Sequence, residues 1–390
     1  MAHHTHLVVA PSINITVLRW LKNVAIFIGI VTLMFVLSEI KLFDIDPKFE
    51  SSQRPMPNIR IESHMIVYGQ LNRAASVKSV KIEYSLVTHI KNQASPKPIL
   101  ILVHGFPEIG KIAFEPIYAL AENYTLVVPD LRGYGNSEVQ APVESVDDYS
   151  VDVAVQDLLL LIRDAVYEKF IASTKNVDIS QQQIMDAAHI FAEVESANMK
   201  VNIVGHDSGG LVVWKLLELY PQKFDKAIIL TTPHPAAYKQ STTPDFYSDL
   251  WIRQLWKSRY AFYFASDLFV NFMSMHNWAW LDKAALAYGK FSKFDVDVLH
   301  TYWNRRMTTM VMWYRHMLNT PSTSNSLPEG RNVLIVKPET DFAFESETVD
   351  ASCAFVKGEC KIVTVPDANH FLVHDQPEAI MKILNEYLQN

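Results

Sequence analysis

The stretch VNIVGHDSGGLVVW, Val201 to Trp214, constrains the fold more than any other part of the chain. It reads as an apolar strand, a glycine-tight turn and the start of an apolar helix. Gly205-His206-Asp207-Ser208-Gly209 places a small residue two positions to either side of a central side chain. A sharp strand-to-helix turn needs that spacing, because bulk at either flank would collide where the chain folds back. A frame centred on Ser208 puts His206 at such a flank, so Asp207 is the side chain that projects. The plainer reading, an aspartate that caps the following helix, does not explain the three glycines around it.

The rest of the chain repeats this layout. "KPILILVHGFP", "YTLVVPDLRGYGNS", "DKAIILTTPHP", "RNVLIVKPETDF" and "CKIVTVPDANHF" read as apolar strands that end in loops, and "HMIVYGQL" and "SVKIEYSLV" as two further strands. "SVDDYSVDVAVQDLLLLIRDAV", "LVVWKLLELYP" and "PEAIMKILNEYL" carry helical spacing. Continuous apolar strands that alternate with helices predict a buried, mostly parallel sheet, an α/β fold. Residues 236–330 lack strand rhythm and are dense in aromatics, which predicts a helical cap inserted into the core. Residues 168–200 are mixed in character and read as an insertion. The predicted organisation is an N-terminal segment at 1–19, an anchor helix at 20–40, a linker at 41–58, core at 59–235 and 331–390, and the cap between them.

A carboxylate at the elbow selects its chemistry. Attack on an acyl carbon would give a mixed anhydride, whereas attack on an sp³ carbon gives an ester that water can cleave. Asp207 therefore points to opening of an epoxide or displacement of a halide, and it is ionised near neutral pH without help from a base. Ester cleavage needs activated water. His370 lies in the loop after the last strand, and Asp341 follows the preceding strand, in the chain order nucleophile, acid, histidine. Asp341 is expected to hold the imidazole; Glu339 competes for that role, and His374 reads as helix surface. Backbone N–H groups of Ser208 and Phe106 are the expected oxyanion donors, since Pro107 has none.

In that order and spacing, "HGFPE", "DLRGYGNS", "VGHDSGG", "TTPHP", "ETDF" and "NHF" resemble the α/β-hydrolase-fold epoxide hydrolases, including the soluble enzyme's hydrolase domain and membrane-anchored animal relatives. The resemblance runs from about Ile59 to Leu388 and implies an α/β core interrupted by a helical cap. It also implies two cap tyrosines that donate to the epoxide oxygen. "VMWYRH" supplies Tyr314 and "KSRYAFYFASD" supplies Tyr260, with Tyr263 as the second choice. An alkoxide is far more basic than a phenoxide, so a tyrosine can protonate it; a halide needs no such acid. The chain departs from the family where Ser208 replaces the usual aromatic, where "SRY" replaces "SWY", and in the longer stretch between Glu168 and Lys200. These departures touch specificity more than chemistry. The resemblance implies no metal and no organic cofactor; the apolar cap and the anchor predicted at 20–40 point to a lipophilic epoxide, such as an epoxidised fatty acid, as substrate. A dehalogenase and a non-catalytic binding protein are the rival expectations.

Trp20 to Ile40 is apolar except for Lys22 and Glu39 near its ends. About 20 such residues suffice to span a bilayer, and no small-x-small cleavage site follows. This predicts a single-pass anchor, placed in the endoplasmic reticulum, with an orientation that flanking charges leave open. Sequons stand at Asn14 and Asn123. The formal charge of −7 and the lack of a basic stripe exclude nucleic acid as a natural partner. The two cysteines, Cys353 and Cys360, are expected to be reduced thiols, with a bridge as the alternative in an oxidising lumen.

Overall fold

The computed structural model describes residues 56, 58–71, 77–90, 97–140, 145–174, 201–245, 247–284, 286–320, 326–327 and 331–389. The strands are β1 (Ile59–Leu71), β2 (Val77–His89), β3 (Ile99–Val103), β4 (Thr125–Pro129), β5 (Glu138–Gln140), β6 (Val201–His206), β7 (Phe224–Leu230), β8 (Val333–Pro338) and β9 (Cys360–Val365). They form one sheet in the order β1-β2-β4-β3-β6-β7-β8-β9, with the short β5 beside β2. The β1–β2, β2–β4 and β2–β5 pairs are antiparallel. Every pair from β4–β3 to β8–β9 is parallel.

Central strands are buried along their whole length, which is why they read as unbroken apolar runs rather than alternating ones. Their side chains still alternate between two layers. Ile99, Ile101, Val103, Ile203 and Ile229 enter one layer, and Leu100, Leu102, Val204, Ile228 and Leu230 the other. The helices that cover the sheet begin with α1 (Gly110–Phe114), α2 (Val151–Thr174) and α3 (Ser208–Leu219). Leu158 and Leu161 of α2 and Val213 of α3 pack on the first layer, and Phe114 of α1 on the second.

Between β7 and β8 the chain is helical. It runs through α4 (Pro235–Ser241), α5 (Leu250–Lys257), α6 (Tyr260–Phe264), α7 (Asp267–Met275), α8 (Ala279–Ala284), α9 (Lys293–Met310) and α10 (Met312–Asn319). A reciprocal cap starts α9. The Ser292 Oγ accepts from the Asp295 N–H at 3.1 Å, and Asp295 Oδ2 accepts from the Ser292 N–H at 2.9 Å. Indole and hydroxyl groups of α9 and α10 then bind core carbonyls in the loops after β3 and β4. Trp303 Nε1 donates to Pro107 O at 2.7 Å, Thr309 Oγ1 to Gly133 O at 2.7 Å, and Trp313 Nε1 to Arg132 O at 2.9 Å. Arg132 is itself fixed by the Asp157 carboxylate of α2, to which Nε and Nη2 donate at 2.8 and 2.6 Å. These bonds set the height of the cap above the strand ends. After β8 come α11 (Ser346–Asp350), α12 (Leu372–Asp375) and α13 (Pro377–Gln389).

The structure corrects two expectations. Cys353 and Cys360 are not free thiols: they form a disulfide with a Cα–Cα distance of 5.5 Å. The short helical turn Ala351–Phe355 reverses the chain ahead of β9 and brings the two residues within bridging reach. His374 is not surface; it is buried at the foot of α12. Among the described residues no helix is long and apolar enough to cross a membrane. The anchor predicted at 20–40 lies outside the described residues, as do Asn14 and the insertion beyond Thr174.

Candidate active site

Asp207 stands between β6 and α3 with φ 49° and ψ −120°, a left-handed conformation that costs a non-glycine residue free energy. The flanking glycines make the turn possible. A Cβ on Gly205 would lie 2.6 Å from the Gly209 carbonyl oxygen, and a Cβ on Gly209 would lie 2.2 Å from the Val103 carbonyl oxygen. Neither backbone atom can move away, so these positions admit glycine alone.

The turn aims the carboxylate at three partners. Asp207 Oδ1 accepts from the Phe106 N–H at 2.9 Å and from the Ser208 hydroxyl at 3.0 Å. Its Oδ2 faces His370 Nε2 at 3.4 Å. Burial opposes ionisation of Asp207, but the His370 bond and charge, His206 and the Phe106 N–H together outweigh it and hold the carboxyl well below its ordinary range. Ser208 lies at the first position of α3, where backbone N–H groups have no partner within the helix.

His370 is buried, and its Nδ1 lies 3.1 Å from both carboxylate oxygens of Asp341. Asp341 is locked in turn: its Oδ1 accepts from the N–H groups of Ala343 and Phe344 at 2.7 and 3.2 Å. Glu339 is exposed and accepts from the Asp367 N–H instead. Burial disfavours the imidazolium, yet Asp341 and Asp207 overcome it and lift His370 to about 10. The resting site is thus an ion triad of carboxylate, imidazolium and carboxylate.

The cap supplies the other wall. Tyr314 is buried, Tyr260 half-buried, and their rings meet edge to face with centroids 5.9 Å apart. Both line one cavity of about 310 Å³ together with Asp207 and Ser208. Burial first, and then the Asp207 charge, raises both phenols well above their ordinary value, so both hydroxyls stay protonated. Tyr263 is outside this cavity lining and stacks on Phe269 at 4.7 Å. The walls carry Leu211, Ala261, Met317, Leu318 and Phe344, and among the described residues Lys239 is the one charged side chain lining the cavity besides Asp207. Among the described residues no group of acidic, histidine or cysteine side chains is placed to hold a metal ion.

Sequence reasoning missed a buried layer behind the triad. Glu108, the residue after Pro107, is buried and lies 2.9 Å from His374 Nε2 and 3.8 Å from His206 Nδ1. The other nitrogen of His206, Nε2, donates to the His370 carbonyl at 2.9 Å. Burial pushes Glu108 up to about 8 and keeps His206 below its ordinary value, so these two residues add little charge beside the triad. The layer ties the Phe106 loop to the His370 loop. The final glutamate of "HGFPE" and the spacing of His370 to His374, one helical turn, were the available signals.

Known proteins share this framework. The sequence pattern of the alpha/beta hydrolase fold family matches residues 98–377. An AB hydrolase superfamily protein of Bacillus subtilis is 26% identical over 75% of this chain and 91% of its own. Epoxide hydrolase 1 of Caenorhabditis elegans is 24% identical over 87% of this chain and 74% of its own. Human epoxide hydrolase 4 is 23% identical over 75% and 73%. Among solved structures, a variant of an epoxide hydrolase from Bacillus megaterium superposes with a TM-score of 0.61 at 21% identity, covering 80% of this chain and 98% of its own.

The charge relation at the site is testable. In Asp207→Asn one of the two carboxylates that sustain the imidazolium is gone, while burial still opposes it. The His370 ring, followed by NMR, is expected to lose its proton at distinctly lower pH than in the parent. An unchanged titration would show that Asp207 does not hold the charge on His370.

Proposed function

The chain belongs to the alpha/beta hydrolase fold family, and from that premise we propose that it hydrolyses a lipophilic epoxide to a vicinal diol through an ester on Asp207. The observation that carries this reading is that Asp207 and the pair Tyr260–Tyr314 line one and the same mostly apolar cavity. In the first step Asp207 Oδ2 attacks a ring carbon, because Oδ1 is already engaged by Phe106 and Ser208. The carbon–oxygen bond of the ring breaks, and the departing oxygen takes a proton from a tyrosine.

Esterification removes the charge of Asp207. His370 then loses part of what keeps it protonated, gives its proton through solvent to the tyrosine oxygen left ionised in the first step, and becomes a base. It activates a water that attacks the ester carbonyl, with Asp341 stabilising the returning imidazolium. The oxyanion forms on Oδ1, held by the Phe106 N–H and, at the start of α3, the Ser208 N–H. Collapse releases the diol and restores Asp207. Nothing in the sequence requires a cofactor. The dehalogenase alternative leaves the two tyrosines without a task, and Ser208 stands where an aromatic would be expected to line a halide site.

The cavity lining supports one substrate class. It is mostly apolar, and Lys239 offers a cation on it. This supports a long epoxide with an anionic end, as in an epoxidised fatty acid. The predicted anchor at 20–40 accords with such a substrate, because it holds the enzyme at a membrane.

Two outcomes test the reading. His370→Gln is expected to consume one equivalent of epoxide, gain the substrate's mass and stop, whereas Asp207→Ala consumes none; multiple turnover by His370→Gln would contradict these roles. Lys239→Ala is expected to raise KM for an epoxy fatty acid and leave its methyl ester unaffected; equal effects on both would remove Lys239 from recognition.

A further inference from the structure

We infer that the catalytic unit folds and remains on the lumenal side of the secretory membrane system and carries an N-linked glycan on Asn123. Two separate features point to that side, and neither depends on the epoxide reading. The first is the Cys353–Cys360 disulfide. Disulfides persist in the secretory lumen and outside the cell, and glutathione keeps cytosolic thiols reduced. In forming the bridge the two thiols give up two protons and two electrons to a disulfide oxidant of that compartment. Both cysteines are half-buried and pack on the core, so the bridge belongs to the folded state rather than to a loose surface loop.

The second feature is the sequon Asn123-Tyr124-Thr125. Asn123 is exposed just after the short helical turn Glu115–Glu122, two residues before β4. Its Nδ2 reaches Asn385 Oδ1 at 3.5 Å, and a glycosylated amide keeps one N–H for that contact. Tyr124 and Thr125 are buried, so transfer has to precede closure of the sheet. In that step a carbon–nitrogen bond forms to Nδ2, the glycosyl–phosphate bond of a lipid-linked oligosaccharide diphosphate breaks, and Nδ2 loses a proton.

The placement is compatible with activity. Strands β3, β4 and β6 to β9 run in parallel, and Asp207 follows the C-terminal end of β6. Asn123 precedes the N-terminal end of β4, and Cys360 is the first residue of β9. Glycan and bridge therefore sit at the sheet end opposite the nucleophile and leave the cavity open. A glycan at the loop ends above Asp207 would have blocked it.

The full chain is expressed in eukaryotic cells with Asn14→Gln, which removes the other sequon. Peptide-N-glycosidase is expected to increase its gel mobility, and a further Asn123→Gln exchange to give that mobility without the enzyme. Because Asn123 is exposed, this polar-for-polar exchange leaves the fold intact. Maleimide applied to extracts under denaturing conditions is expected to label Cys353 and Cys360 only after reduction. Mobility unchanged by the glycosidase, or thiols that react before reduction, would overturn the inference.

Discussion

The site depends on one electrostatic arrangement: a single imidazolium, His370, shared between two buried carboxylates. Its Nε2 faces Asp207 at 3.4 Å, and its Nδ1 faces Asp341 at 3.1 Å. In a water-excluded site such charges interact far more strongly than in bulk solvent, and breaking a buried pair is costly. Each carboxylate is also anchored by backbone N–H groups, from Phe106 for Asp207 and from Ala343 and Phe344 for Asp341. The left-handed backbone of Asp207 persists because these contacts over-determine its position.

The same arrangement carries its own timing. While Asp207 is charged, His370 is held protonated and cannot act as a base. In the proposed reaction, conversion of Asp207 to a neutral ester would release it. Water activation would then be tied to the presence of the ester that needs water, with no moving part. The layer of Glu108, His206 and His374 behind the triad ties the loops that bear Phe106 and His370, and the indoles of α9 and α10 fix the cap that bears Tyr314. The Phe106 N–H, His370 and Tyr314 therefore have fixed mutual positions.

Much of this was legible in the sequence, and the reasons are local. The elbow is written in Gly205, Asp207 and Gly209, because backbone contact admits no side chain on either flank. The parallel strands announce themselves through two-sided burial. Asp341 was separable from Glu339 only by its place farther into the loop, and the contact to His370 indeed comes from Asp341. What spacing does not encode is side-chain burial across long sequence distance. His374 carries the helical position of a surface residue, yet Glu108, remote in sequence, draws it inward. The pairing of Cys353 with Cys360 rests on a reversal of the chain that no periodic pattern signals. Tyr260 and Tyr263 are both on the five-residue α6, and only packing against Phe269 assigns Tyr263 to the cap interior.

The proposed reaction turns on a covalent ester of Asp207 that water cleaves at its carbonyl carbon. A single turnover with a lipophilic epoxide in ¹⁸O-labelled water, followed by proteolysis and mass analysis of the peptide containing Asp207, tests it most directly. Label is expected in the Asp207 carboxylate and an unlabelled new oxygen in the first diol released, because that oxygen comes from Asp207. Label in the diol with none in the peptide would mean that water opens the ring directly, and would contradict the proposal.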